Sequence, residues 1–348
     1  MSRELTFDDI VTEFMLNTCR PCLRSTSKFA LQAAICCCAC ANKQSGDEED
    51  TETILLTTGS VAEFYIKPML PYVGDIDLMY HWNTELAIPR GHPSPTQLPS
   101  EFHNYVKVHD IIDSHLPGYV YLELRYLLTE CSDDDNYNPV ECDRGKYASN
   151  VRYGAVGDIH VGDIHGPACV ISTPYESARR PKFNLFVVSS IDSVHCVRCL
   201  SWPSQAADWP TRHRNYGWPD SATLDRVISN GCDVVGVAHR QCRQHEVMGK
   251  HQHRLSFSRA EIVLINSWMP VQQIVYHMLR YFVKTERLTD CADNSGAGCS
   301  VSNYHIKTLM LWASELKSRS WWIDDVNLVT MCDQLLHNLA EWLTEGRF

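Results

Sequence analysis

Residues 58–60 read Thr58-Gly59-Ser60, and residues 74–79 read Gly74-Asp75-Ile76-Asp77-Leu78-Met79. The second run has the character of a strand, where alternate residues share a face. Asp75 and Asp77 therefore point the same way, a few Å apart. Two like charges so close are costly unless a cation sits between them. Mg2+ prefers hard oxygen ligands and takes one or two carboxylates together with substrate phosphates. Gly59 permits close approach of backbone to a phosphate, and Ser60 adds a hydroxyl donor. This is the layout that nucleotidyl transfer requires, where metals activate a hydroxyl and neutralise leaving pyrophosphate. A lone Asp-x-Asp reads more readily as a surface strand with two solvated aspartates. The glycine-serine turn upstream balances the two readings, and the later stretches decide between them.

The chain has 348 residues, enough for one large bilobal unit or two domains. Its apolar content of 44% is that of a globular protein with a sizeable core. The formal net charge of −11 argues against a surface that grips nucleic acid all over, while leaving room for a local basic face. No run approaches the length of apolar sequence needed to span a membrane. Glu4, Asp8 and Asp9 leave no basic-then-apolar leader at the N-terminus, so a cytoplasmic or nuclear location is expected. The 16 cysteines include Cys19 and Cys22 and a cluster at Cys36, Cys37, Cys38 and Cys40. In a long intracellular chain these read as free thiols. Cys19 and Cys22 lack a second pair at zinc-ribbon distance.

Phe7, Ile10, Val11 and Phe14 recur at helical spacing, and Thr6 with Asp9 forms a capping pair ahead of them. A helix is expected over 6–19 and another over 26–41. Residues 46–50 read as a solvated loop, 53–58 as the approach to the Gly-Ser turn, 75–82 as the strand with the acid pair, and 119–128 as a further strand. Residues 89–99 form a proline-rich exposed connection, and 132–138 an acidic loop. Asp158, His160, Asp163 and His165 sit in a short repeat that reads as a loop rather than a metal site. The apolar run 183–188 continues through Asp192 to Cys196, making Asp192 the natural third carboxylate on a neighbouring strand. From about 261 the pattern turns helical, over 271–284, 305–317 and 325–343. The resulting architecture is α+β and bilobal. A mixed-sheet catalytic lobe with N-terminal helices occupies 1–259, a helical lobe occupies 260–348, and nucleotide lies in the cleft between them.

Four stretches share one resemblance: Thr58-Gly59-Ser60 with Asp75 and Asp77; Asp192 leading to Ser201-Trp202-Pro203; the run 254–261, Arg-Leu-Ser-Phe-Ser-Arg-Ala-Glu; and Asn303-Tyr304-His305-Ile306-Lys307-Thr308. Together, over about residues 50–340, they resemble the cyclic GMP-AMP synthase-like receptors and the related male-abnormal (Mab) nucleotidyltransferase-fold family. The resemblance implies that Asp75, Asp77 and Asp192 bind Mg2+ or Mn2+ and carry catalysis. It implies that Ser60 holds the first triphosphate behind Gly59, with Thr58 near the second base. Arg254, Ser256, Ser258 and Glu261 would line the nucleotide pocket, and Arg280 would reach the triphosphate. Asn303, Tyr304 and Lys307 would stack on a base and touch phosphate. The types suit these tasks: arginine forks onto phosphate oxygens and tyrosine offers a flat face to a base.

The chain departs from the synthase in the longer spacing from Asp77 to Asp192 and in lacking the synthase's zinc-binding insertion. That favours the zinc-free members, some of which respond to double-stranded RNA. His239, Arg240, Arg243 and residues 250–254 form the densest basic run, which reads equally as a contact for double-stranded RNA or DNA phosphates and as a solvated loop. Two functions follow as expectations. One is an enzyme of innate immune sensing that joins ATP- and GTP-type substrates into a cyclic dinucleotide. The other is a catalytically silent scaffold that keeps the fold and binds nucleotide or a protein partner. The intact acid set favours the enzyme.

Overall fold

The computed structural model describes residues 6–18, 53–63, 75–132, 136–150, 164–165, 168–171, 190–239, 242, 247–286, 288, 301–323 and 327–347. In chain order the elements are α1 (Phe7–Thr18), β1 (Thr53–Thr58), α2 (Gly59–Ala62), β2 (Asp75–Trp82), β3 (Glu85–Pro89), β4 (Tyr105–Asp113) and β5 (Tyr119–Glu130). They continue with β6 (Tyr137–Glu141), β7 (Ile164–His165), β8 (Ala168–Ile171), β9 (Ser190–Cys199), α3 (Asp208–Thr211), α4 (Ser221–Ser229), β10 (Cys232–Val235) and β11 (Gln252–Ser256). The last part is helical: α5 (Ser258–Asn266), α6 (Pro270–Thr285), α7 (Asn303–Leu316), α8 (Arg319–Ile323) and α9 (Leu328–Thr344). Mixed sheet followed by helices gives the α+β, bilobal arrangement expected from the sequence.

The strands hydrogen-bond in the order β1-β2-β9-β10-β11-β5-β4-β3. β3 also pairs with β9, in parallel, through Leu86 with Arg198 and Ala87 with Cys199. That pairing closes β9, β10, β11, β5, β4 and β3 on themselves as a barrel, leaving β1 and β2 as a wing beyond β9. Strand alternation sends one set of side chains inward. Ala87, Ile111, Val120, Leu122, Val197, Cys199, Cys232, Val234 and Leu255 fill the interior as one buried cluster. The other set faces outward. On the wing and on the β9–β10 wall this outer face carries Leu56, Met79, Val194, Cys196 and Val235 as a second cluster. The acids of the candidate site lie on that outer face. α5 packs over it, touching α2, β1 and β10.

The helical lobe has its own core, in which Ile265, Trp268, Ile274, Val275, Tyr276, Leu279, Ile306, Leu309, Met310, Trp322, Leu335 and Leu339 are buried together. Pro270 opens α6 as the first helical residue, where its missing N–H costs nothing. Cys196, Cys199, Cys232 and Cys242 are buried free thiols. No helix among the described residues is long and apolar enough to cross a membrane.

Several expectations need adjusting. α1 begins with the capping pair: the Thr6 hydroxyl donates to Asp9 Oδ2 at 2.7 Å and accepts from the Asp9 N–H at 3.2 Å. It does not dock through its most apolar stripe, however. Phe7, Ile10 and Phe14 are exposed, while Thr12 is buried and its hydroxyl accepts from the Leu328 N–H at 3.0 Å. The face that turns inward is the one that caps the start of α9 through Thr12 and packs Met15 on the helical core. Residues 137–141, partly read as loop, form β6 despite Pro139, on the rim beside β5. The second half of the Asp-His repeat contributes Ile164 and His165 to a short strand. The helix expected over 26–41, the loop at 46–50, the cysteines from Cys19 to Cys40 and the start of the apolar run at 183 lie outside the described residues.

Candidate active site

β1 and β2 run antiparallel, with Thr58 opposite Asp77. β2 and β9 run parallel, with Asp75 opposite Ser190 and Asp77 opposite Asp192. Paired residues on neighbouring strands share a face, at about 5 Å between strands. Asp77 and Asp192 are therefore side by side on the outer face, both half-buried. Asp75 falls on the same face by alternation along β2, although its side chain, like that of Ser60, lies outside the described set. The Thr58 hydroxyl donates to the Asp77 backbone carbonyl at 3.3 Å, which fixes the end of β1 to the acid strand.

Gly59 lies against Asp77. It adopts φ +58°, in the left-handed region, and a Cβ built on it would lie 1.8 Å from Asp77 Oδ2. Only glycine satisfies both conditions. The Gly59 turn is thus pressed onto the Asp77 carboxylate, and α2 starts from that contact. Among the described residues no three His, Cys, Asp or Glu side chains gather as a metal cluster. The donor set of Asp77 and Asp192, with Asp75 two residues along, nevertheless has the all-oxygen chemistry that Mg2+ and Mn2+ take.

The same outer face continues across the wall. Arg254 pairs with Val235 and Ser256 with Asp233, so both side chains of β11 point to the side that carries the acids. Arg254 is exposed. Ser256 Oγ lies 3.2 Å from Ser258 Oγ, joining the strand end to the first residue of α5. α5 is anchored beneath by a buried charge cluster that sequence reading missed. Arg259 Nε donates to Asp233 Oδ2 at 2.9 Å, and Asp233 is fully buried. Arg198 lies 3.9 Å from the same carboxylate and donates to the carbonyls of Cys199 at 2.6 Å and Cys232 at 2.7 Å. Burial lowers the Arg198 pKa, with neighbouring Arg259 acting in the same direction. The signal in the sequence was an aspartate inside the apolar run Cys232-Asp233-Val234-Val235.

The remaining candidates sit on the helical lobe. Tyr304, in the first turn of α7, is 62% exposed, and its ring is not part of the helical core. Asn303 beside it is also exposed. Glu261 and Lys307 are paired at 3.0 Å. Lys307 also binds the buried carboxylate of Glu63, the residue that follows α2. Glu63 Oε2 accepts from the Tyr276 hydroxyl at 2.9 Å. Burial pulls the Lys307 ammonium down, and Glu63 and Glu261 more than reverse this, so its pKa ends above the ordinary lysine value. Arg280, one turn beyond Tyr276, stacks over that ring at 5.3 Å and keeps a buried Nη1 with no hydrogen-bond partner among the described residues. Glu63 and Tyr276 carried no signal of their own, beyond Glu63 standing three residues after Ser60.

Residues 155–267 match the family model of the Mab-21 protein nucleotidyltransferase domain. No curated protein matches the chain. The matched span contains β9 with Asp192, the β10–β11 wall with Arg254 and Ser256, and α5 with Ser258 and Glu261. Asp75 and Asp77 precede it on the strand that pairs with β9. Over residues 155–267 the chain is therefore similar to the Mab-21 nucleotidyltransferase domain, and its architecture is the fold of the cyclic GMP-AMP synthase/Mab-21 family.

Proposed function

We propose that this protein is a metal-dependent nucleotidyltransferase that joins ATP- and GTP-type substrates into a cyclic dinucleotide. The observation that carries the reading is the register of β2 against β9, which sets Asp77 beside Asp192, under a Gly59 turn that tolerates no side chain. Asp75, Asp77 and Asp192 would hold Mg2+ or Mn2+. When bound, the metal neutralises charge on the phosphates and eases ionisation of the attacking hydroxyl. Gly59 and Ser60 receive the triphosphate, and Tyr304 offers an exposed ring for a base. Arg254, Ser256, Ser258 and Glu261 face the cleft from the wall and from α5, and Asn303, Lys307 and Arg280 border it from the helices. A ribose hydroxyl oxygen attacks the α-phosphorus, a carboxylate of the set takes the hydroxyl proton, and the bond to pyrophosphate breaks. The linear product turns over and the second α-phosphate reacts in the same way. Double-stranded RNA or DNA is the proposed activator class, for a role in innate immune sensing within the cytoplasm. The basic run at 239–254 supports it, though Arg240 and Arg243 lie outside the described residues.

One observation favours the second reading, a silent scaffold: the Lys307 ammonium is committed to two carboxylates rather than held free for a phosphate. Incubation with labelled ATP, GTP, CTP and UTP, with Mg2+ or Mn2+ and with or without duplex RNA or DNA, separates the two. The enzyme yields a phosphatase-resistant labelled dinucleotide that Asp77→Asn does not make. Nucleotide binding without product under every condition would establish the scaffold instead.

A further inference from the structure

The Gly59 turn is a single helical turn, too short to hold its own shape. Its last backbone bond is the Glu63 N–H to the Gly59 carbonyl at 3.0 Å. Whatever fixes Glu63 therefore fixes the turn. The Glu63 side chain leaves the sheet wing altogether and ends inside the helical lobe. Oε2 accepts from the Tyr276 hydroxyl of α6 at 2.9 Å. Oε1 meets the Lys307 ammonium of α7. Lys307 then reaches Glu261 of α5 at 3.0 Å. The Glu63 side chain is 2% exposed and that of Lys307 16%, so neither pairing is a solvated surface contact.

We infer that Glu63 is a positioning residue: its carboxylate clasps α6 and α7 directly, reaches α5 through Lys307, and thereby holds the Gly59 turn against Asp77. The inference rests on the nucleotidyltransferase reading for its catalytic consequence, but not for its geometry. A buried carboxylate stripped of its partners is strongly unfavourable, so the contacts of Glu63 to Tyr276 and Lys307 form and break together. The carboxylate is one residue past the turn that would receive a triphosphate, and Glu261 and Lys307 stand on α5 and α7, between which and the sheet the nucleotide is proposed to lie. The clasp makes the approach of the two lobes and the seating of the turn a single event. Placement errors of about 1 Å at a reacting centre cost on the order of 100-fold in rate, so slack at Glu63 reaches the chemistry without any contact to substrate.

The test uses the full chain, with Tyr276→Phe as the mild variant and Glu63→Gln as the stronger one. Backbone amide hydrogen exchange is followed at residues 59–63, with the β5 amides around Leu122 as internal reference. Both variants are expected to speed exchange at 59–63 by at least about tenfold, with β5 unchanged; a tenfold change corresponds to about 1.4 kcal/mol. Turnover per folded molecule, with the folded fraction measured at the assay temperature, is expected to fall with KM for nucleotide held within about twofold; dividing by the folded fraction removes what simple loss of stability would contribute. Unchanged exchange at 59–63 overturns the inference, as does a uniform rise that includes β5. So does faster local exchange with turnover intact. If the wild-type chain makes no product, the nucleotidyltransferase reading has failed, and the exchange data alone decide whether the clasp exists.

Discussion

Replacing Gly59 by alanine tests the site at the point where backbone and carboxylate meet. Two penalties arise. A non-glycine residue at φ +58° costs roughly 1–2 kcal/mol in the left-handed region. The new methyl would also lie 1.8 Å from Asp77 Oδ2 and 2.6 Å from its Cγ, so the carboxylate must swing away. The backbone penalty alone lowers Tm by a few degrees, at about 2–4 °C per kcal/mol for a chain of this size class. The displacement of Asp77 by more than 1 Å should cost at least about 100-fold in nucleotide joining. Gly118→Ala separates the two effects. Gly118 has φ +77° and, among the described residues, nothing within 4 Å of a built Cβ, so it carries the strain without the clash. Scanning calorimetry should show similar small losses in both variants, while a labelled-ATP assay with Mg2+ should show loss only in Gly59→Ala. Equal activity in the two variants would refute the argument that the turn sets the position of Asp77.

Three further outcomes are expected. Asp192→Asn should abolish product while leaving Tm within about 2 °C, because it removes charge from a half-buried position of the proposed metal site without changing volume; persistent product would remove Asp192 from the acid set. Tyr304→Ala should weaken nucleotide use by roughly 5- to 150-fold with little change in Tm, since stacking is worth about 1–3 kcal/mol per base and the ring lies outside the helical core; Tyr304→Phe should be silent, and competition binding of a fluorescent nucleotide reads both. Burial lowers the pKa of His81 below 6.5, so the unfolded chain binds the proton first. Its contribution to stability is complete above about pH 6.5 and is lost as pH falls through the lowered folded value, with a slope of at most about 1.4 kcal/mol per pH unit. Urea unfolding at pH 7, 6 and 5 should show that slope in the wild type and a shallower one in His81→Gln.

The sequence made the acid strand, the Gly-Ser turn and the late helices legible because each writes its period locally. The 271–284 stripe became α6 and the 305–317 stripe α7, within a few residues at each end. The placement of Asp192 relative to Asp77 was suggested by the pattern but set by the register of two strands more than a hundred positions apart, which no local period records. The closure of the barrel through β3 was invisible for the same reason: Leu86 and Ala87 look like any short apolar run, and their pairing with β9 depends on strands far along the chain. α1 shows the converse limit. Its period was plain, yet the covered face is the one that carries Thr12 and Met15, against the start of α9 and the helical core, rather than the Phe7, Ile10 and Phe14 stripe. The Glu63 clasp was hidden because a single glutamate in a helical turn reads as solvated until the helices that bury it are in place.

β9 belongs to two constructions at once. Its first half lies against β2 and presents Asp192 outward; its second half closes the barrel, with Val197 and Cys199 inward. A shift of one residue would turn Asp192 into the wrong layer and push polar side chains into the barrel interior together. The two halves differ in how they tolerate change. An acid on the outer face can be exchanged for a neutral residue of equal size with the fold undisturbed, whereas the strand's alignment cannot drift without loss of the core. Chemistry in such a framework is easily given up and its geometry is not. Lineages that abandon catalysis would therefore be expected to keep the barrel, the cleft and the Gly59 turn recognisable, and the state of a few side chains on one face of one strand pair would record whether the reaction was retained.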